Sequence, residues 1–436
     1  MKAILLSTSD IQGGAARAAY RLHQGLNSVG VDSWMLVQSR NSDDPKVKGP
    51  RTQLQRGLSL LRPSVDALAV KASSMGKRLP FSTGMVPDRV SSTLHHERPH
   101  IVHLHWIAGG FLRIESMDRF HVPIVWTLHD MWPFTGGCHY SGLCTRYRQS
   151  CGLCPVIGSS REHDLSRWNL LRKRRVMEQL DLTVVAPSRW IASCARSSSI
   201  LQNLRIEVIP NGLDLKRYRP LPSGLCRDLL GLPNKKKLIG FGAIKSTQDK
   251  RKGFDFLIQA LRALAGTPLA GEAEVVIFGA SQPDPPIDLG LKAHFMGTLN
   301  DDISLAHLYA ACDIFVAPST EDNLPNTLIE AMACGTPCVA FRTGGIPDLI
   351  EHQSTGYLAR PFDVEDLALG MVEMLSIEDC LASLSRRARQ KAEREYSLEV
   401  VAERHRHLYS EILGTRLAST RALNDLPSSM ITPVHK

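Results

Sequence analysis

Short apolar runs alternate with stretches of helical periodicity through most of the chain. The opening KAILLSTSDIQGGAARAAYRLHQGLNSVG reads as a buried strand, a turn at Gly13 and Gly14, and a helix with apolar residues at helical spacing. VDSWMLVQ follows as a second strand. Further strands are expected at residues 101–105, 123–129, 182–186 and 205–209, with helical stretches between them. This order predicts a parallel sheet covered on both faces. After a segment rich in Pro, Gly and Lys at 210–237 the pattern restarts. Strands are expected at 238–242, 274–279, 294–297, 314–317 and 338–341, and helices at 254–264, 303–312 and 326–334.

The fold class read from this is α/β, with two doubly wound Rossmann-like units facing each other across a hinge. A length of 436 residues agrees, since one hydrophobic core stops growing well before that size. The boundaries expected are a first domain at 1–210, a second at 211–413 closed by helices near 366–375 and 398–413, and a mobile polar tail at 414–436. Ligands bind such sheets beyond the carboxyl ends of the strands, so the cleft between the domains is the predicted site.

The stretch STEDNLPNTLIEAMACGTP at 319–337 carries the most chemistry. Pro325 suits the first position of a helix whose start points at the cleft, and a helix start offers free N–H groups and partial positive charge to a phosphate. Asp322 lies in the preceding loop, and Glu330 follows eight positions later inside the helix. A carboxylate accepts from two donors at once and so suits a sugar diol. Two of them beside an anion site suit a nucleotide joined to a sugar. The bland reading is a solvated helix acid and a loop acid.

This segment resembles the E-x7-E region of retaining glycosyltransferases of family 4, which have the GT-B fold, with Asp322 in place of the first Glu. VIPNGLDLKRY at 208–218, RKGFDFLIQAL at 251–261 and TGGIPDLI at 343–350 extend the likeness to about residue 413. The resemblance implies that Glu330 binds ribose hydroxyls, that Asp322 touches the transferred sugar, and that Lys252 neutralises the diphosphate. It implies donor contacts at Asn326, Gly344 and Gly345 as well. Where the family has an upstream Arg this chain has Ala243, so Arg251 or Lys245 is expected to supply the second charge. His129, at the carboxyl end of a strand in PIVWTLHDMW, is implied as a ligand of the donor sugar, with Asp130 beside it. Gly13 and Gly14 permit close approach of a phosphate or acceptor, although they match neither a Walker A nor a full G-x-G-x-x-G pattern. His103 and His105 in IVHLHW alternate on a strand, where at least one reads as a core histidine.

Together these readings predict transfer of a sugar from a UDP- or GDP-sugar to a saccharide or lipid-linked saccharide, of the polysaccharide-assembling type that builds exopolysaccharide or lipopolysaccharide. Retention without a metal cofactor is implied. The alternatives are a GT-B protein that binds saccharide without turnover, favoured by Asp322 and the missing Arg, and a nucleotide-sugar epimerase.

Composition is that of a soluble globular chain, with 43% hydrophobic and 22% charged residues. No apolar run reaches the ~18 residues of a membrane span. MKAILLSTSDIQGG turns polar too soon for a signal peptide. A cytoplasmic location is therefore expected, with a place at the cytoplasmic face of the membrane also open. The net charge of +9 is concentrated in two segments, 51–77, whose only acid is Asp66, and SRWNLLRKRR at 166–175. Each suits a membrane surface or a solvated helix face. Neither has the interleaved aromatics of a nucleic-acid binder. Cys138, Cys144, Cys151 and Cys154 fall within GGCHYSGLCTRYRQSCGLCP, which suits a structural zinc or four reduced thiols packing a loop.

Overall fold

The computed structural model describes residues 1–73, 80–242, 247–299, 301–376 and 378–424. In its first half, β1 (Lys2–Ser9), β2 (Asp32–Ser39), β3 (Val47–Lys48), β4 (Ile101–Leu104), β5 (Ile124–Thr127), β6 (Leu182–Ala186) and β7 (Arg205–Val208) form one parallel sheet in the order β3-β2-β1-β4-β5-β6-β7. α1 (Gly14–Ser28), α2 (Gln53–Ser73), α3 (Val90–Glu97), α4 (Leu165–Met177) and α5 (Arg189–Arg196) connect these strands. Strands β4, β5 and β6 are buried at every position, as strands covered on both faces must be.

The second sheet repeats the plan. α6 (Ser223–Leu230) leads into β8 (Lys237–Gly242), β9 (Ala273–Phe278), β10 (Ala293–Phe295), β11 (Ile314–Ala317), β12 (Cys338–Phe341) and β13 (Gly356–Ala359), ordered β10-β9-β8-β11-β12-β13. α7 (Phe254–Ala265), α8 (Asp302–Ala311), α9 (Asn326–Ala333), α10 (Ile346–Leu349) and α11 (Val364–Ser376) connect them. In each sheet the order reverses beside the first strand, between β1 and β4 and between β8 and β11. The loops leaving the strands at these two reversals carry Gly13, Gly14, Lys252 and Asp322, and His129 follows β5, one strand further along the first sheet.

One expectation about the end of the chain is corrected. α12 (Glu378–Tyr396) is followed by α13 (Leu398–Asn424), which continues past the predicted end at 413. α13 does not close the second domain. Val401, Leu408, Tyr409 and Ile412 pack in one cluster with Leu5, Leu22, Met35 and Val125 of the first. The helix therefore crosses back, and a cut in sequence at residue 210 does not separate the two units in space. Residues 425–436 lie outside the described residues.

The second basic segment, 166–175, packs its inner face into the core of the first domain and leaves Trp168, Leu171, Arg174 and Arg175 exposed. Asp164 caps α4 by accepting from the backbone of Ser166 and Arg167, and Leu170, Lys173 and Met177 turn inward. The Lys173 ammonium, fully buried over the Trp132 ring at 3.9 Å, donates to the carbonyls of Trp132 and Thr135. Burial pushes it down to about 7. Arg172 is fixed on Glu115, Arg167 on Glu162 and Arg174 on Glu178.

Candidate active site between the sheets

α9 begins directly after the loop at 318–325. Pro325 is the residue before the first helical position rather than in it, and no side chain caps the helix start. Glu330, on the second turn, is 3% exposed in spite of its charge. Both carboxylate oxygens are engaged: Oε1 lies 2.9 Å from Arg21 Nη2, and Oε2 accepts from the Tyr309 hydroxyl at 2.9 Å. Arg21 reaches Glu330 from α1 of the other domain. The same guanidinium lies 3.3 Å from Asp302 Oδ1 and donates to the Tyr218 hydroxyl at 3.2 Å.

A charge this buried is tolerated only when it is paired and hydrogen-bonded. The cluster is therefore a clasp between the domains as well as a setting for Glu330. Arg21→Ala would strand the buried Glu330 carboxylate, whereas Asp302 would keep Arg17, Arg217 and the Tyr218 hydroxyl. It is expected to cost about 3 kcal/mol or more of stability, read as a lowered melting temperature; an unchanged melting curve would refute the clasp.

Glu330, Asn326, Thr327 and Tyr309 face Gly13, Gly14 and Arg17 across a cavity of about 600 Å³. Asn326 Nδ2 donates to Gly14 O at 3.0 Å and its Oδ1 accepts from Asn211, so the start of α9 is tied to the start of α1. The glycine pair thus faces the carboxylate helix.

Lys252 and Asp322 are also brought together, with Nζ 2.6 Å from Oδ2. Gly253, at φ +74°, makes the turn after Lys252, and a Cβ there would lie 1.8 Å from Pro318 O. Thr320 N–H donates to Arg251 O at 2.8 Å. Backbone packing thus holds the lysine's turn against the loop of Asp322. Arg251 pairs with Asp249 at 2.6 Å and lies over the Tyr140 ring of the first domain at 4.3 Å. Lys245 and Ala243 lie outside the described residues.

Gly344 and Gly345 back the loop of Asp322: a Cβ on Gly345 would lie 1.7 Å from Asn323 O, and Gly345 N–H donates to Asp322 O. Asp130 is buried and consumed by Trp106 Nε1, His139 Nδ1 and the Trp132 N–H, so it does not join Gly13 and Gly14. The His129 ring does not line the 600 Å³ cavity; its Nε2 lies 2.9 Å from His105 Nδ1. Its backbone is at the cleft, where Asn323 Nδ2 donates to the carbonyls of Leu128 and His129.

The four cysteines do converge. Cys138, Cys144, Cys151 and Cys154 line one small pocket of about 10 Å³ with Ser166. Burial pushes the Cys138 and Cys151 thiols up to about 12, which favours packed, protonated sulfur. Among the described residues no group of three or more His, Cys, Asp or Glu is arranged to hold a metal ion.

Sequence reasoning missed Arg21, Tyr218, Asp302, Tyr309 and Asn323. Arg21 looks like an ordinary charge on an amphipathic helix, and only the approach of the two sheets gives it a partner.

Residues 12–217 match the family described as Glycosyltransferase Family 4, and residues 235–376 match Glycosyl transferases group 1. The two matches together take in 348 of the 436 residues and make the chain similar to glycosyltransferases of the family 4 type. The D-inositol 3-phosphate glycosyltransferase of Saccharomonospora viridis is 26% identical over 67% of this chain, and the match spans 66% of that protein's length. Among solved structures, sucrose-phosphate synthase of Thermosynechococcus elongatus aligns with 95% of this chain and 99% of its own, at TM-score 0.67 and 20% identity. The HepE protein of Anabaena in complex with UDP and glucose aligns with 94% of this chain and 100% of its own, at TM-score 0.64 and 20% identity. These neighbours establish the GT-B fold of the chain. Among its described residues no helix is long and apolar enough to cross a membrane.

Proposed function

We propose that the chain transfers a sugar, with retention of anomeric configuration, from a nucleoside diphosphate sugar to a saccharide or lipid-linked saccharide, in polysaccharide assembly. The observation that carries this reading is the 600 Å³ interdomain cavity, in which the carboxylate of Glu330 and the uncapped start of α9 face Gly13 and Gly14. A helix start favours phosphate and a carboxylate favours a diol, so the two together suit a nucleoside diphosphate. Lys252 supplies positive charge where the diphosphate leaves. The HepE structure with UDP and glucose supports a uridine nucleotide as the first donor to test.

The same reading places the acceptor. A second groove of about 1250 Å³ runs along the first domain between the ends of β2 and β3 and the helix α2. Both cavities are lined by Gln12 and Asn41, whose side chains are joined by a hydrogen bond of 3.1 Å. Donor and acceptor would meet there. In this mechanism the leaving phosphate takes the acceptor's proton and no protein nucleophile is needed. The clasped domains keep water from the donor.

Glu330→Ala tests the assignment without unfolding the chain, because Arg21 keeps Asp302 and Tyr218. With UDP-glucose as the probe, the variant is expected to lose the UDP-induced rise in melting temperature. Its affinity should fall about tenfold or more, the loss of a charged hydrogen bond. Equal product from the wild type and the variant would sink the reading.

A further inference from the structure

The segment between β5 and α4 carries the cysteine quartet, and both of its ends are tied down inside the first domain. Cys138 pairs with Phe81 as an isolated antiparallel bridge and its carbonyl accepts from the Thr135 hydroxyl at 2.6 Å. Cys154 N–H donates to Asp164 Oδ2 at 3.0 Å. The four thiols pack around one small pocket at this base. Cys138 and Cys144 bracket residues 140–142, and Cys144 N–H donates to Ser141 O at 3.0 Å, which closes a turn there.

The tip of the segment lands on the other domain. The Tyr140 ring centre lies 4.3 Å from the Arg251 guanidinium, and Gly142 N–H donates to Glu321 Oε2 at 3.2 Å. Arg251 follows β8 and Glu321 follows β11, so the two contacts fall on the loops of neighbouring strands, directly beside Lys252 and Asp322. Arg251 Nη1 donates to Glu321 O at 3.4 Å and so ties one loop to the other. Tyr140 is backed in turn by Trp190 of α5, the rings 6.5 Å apart and inclined by 15°. A planar guanidinium against a supported ring is held in one orientation, as an ammonium on a flexible stem is not. Two residues on from Glu321, Asn323 Oδ1 accepts from Ser188 Oγ at 2.7 Å, so the first domain grips the loop of Asp322 at a second point.

We propose that the cysteine-rich segment is a strap across the cleft and that Tyr140 is a positioning residue for the transfer reaction. The turn of Lys252 and the loop of Asp322 are formed within the second domain; Tyr140, through Arg251, sets them against the first. Glu330 and the start of α9, which are offered to the nucleotide, touch neither Tyr140 nor Gly142. The strap therefore acts on the rate of transfer and leaves nucleotide affinity alone. This consequence rests on the proposed transfer reaction; the strap itself does not.

The test follows UDP release from UDP-glucose by the full chain, together with the rise in melting temperature that UDP induces. Tyr140→Leu removes the ring and should lower kcat by about tenfold, while the UDP-induced rise stays within about 1 °C of the wild type. Tyr140→Phe keeps the ring and should recover kcat to within about threefold of the wild type. Tyr140→Leu/Arg251→Ala should be no slower than Arg251→Ala alone, because a ring with no guanidinium to hold has nothing left to position. The proposal is overturned if Tyr140→Leu turns over like the wild type, if Tyr140→Phe is as slow as Tyr140→Leu, if the UDP-induced rise is lost with the ring, or if the two substitutions slow the reaction additively. A wild type that releases no UDP from UDP-glucose counts against the proposed reaction. The strap is then decided by the melting temperatures of the same four proteins without ligand, where non-additive shifts support it and additive shifts overturn it.

Discussion

Lys252→Ala is expected to lower sugar transfer by about 10²- to 10³-fold, the scale seen when one preorganised electrostatic group is removed from a developing anion. The lysine has no slack: Gly253 and the backbone contact between Thr320 and Arg251 fix its turn, and its ammonium sits 2.6 Å from Asp322. Because the alanine variant leaves a largely buried Asp322 without its cation, a lowered melting temperature would confuse the result. Lys252→Ala/Asp322→Asn removes the stranded charge as well. Stability should recover in the double variant and transfer should not. Transfer within about threefold of the wild type in a well-folded Lys252→Ala protein would show that the diphosphate is neutralised elsewhere, with Arg251 the next cation to test.

The melting temperature is expected to fall steeply between pH 6.5 and pH 5. Burial holds His23, His129 and His405 down to about 4, and it holds His103 and His105 well below the ordinary value, where their neighbouring histidines push in the same direction. These folded-state values are depressed relative to an unfolded value near 6.5. The unfolded chain therefore binds more protons in the window between about 4 and 6.5. Stability is fully present above 6.5 and is lost as pH falls toward 4. Each such histidine contributes a slope of about 1.4 kcal/mol per pH unit, so the three near 4 alone give about 4 kcal/mol per unit. That is comparable with the whole stability of many domains within two units.

The geometry explains why the rings stay neutral. The His103 ring lies 4.3 Å from His105 and 5.5 Å from His405, and His105 lies 5.2 Å from His129, so one added proton faces several buried neighbours. Circular dichroism melts across this range measure the effect; a flat profile from pH 7.5 to 5 would refute it. His405→Leu, which removes a ring whose Nε2 has no hydrogen-bond partner among the described residues, should make the profile shallower.

Much of this protein is legible in one dimension. The apolar runs predict β1, β2, β4, β5 and β6 and most strands of the second sheet within a few residues, because a strand covered on both faces has to be apolar throughout. Glu330, Asn326 and the Gly13–Gly14 turn could be nominated for one cavity because each belongs to a local pattern, a helix with an acid inside it or a glycine turn after a strand. The pairing of Lys252 with Asp322 is not of this kind, since they lie 70 positions apart and meet only because β8 and β11 are neighbours in the sheet.

What the sequence by itself could not determine is where side chains are spent. Asp130 and Glu330 are equally acidic on paper. Packing spends the first on Trp106 and His139 inside one domain and the second on Arg21 and Tyr309 at the wall of the cleft. Arg21 acquires its meaning from a residue 309 positions away, and α13 joins the first domain only by crossing back over the second. α2 is the sharpest case. Its composition announces an amphipathic helix, and such a helix ordinarily buries its leucines. The hydrogen bonds of Asp66 to Thr83 and of Arg62 to Gly110 decide the opposite orientation and leave its leucines exposed. Local patterns set the elements because backbone geometry has a period; the orientation of each element depends on partners distant in sequence, and those exist only once the chain has folded.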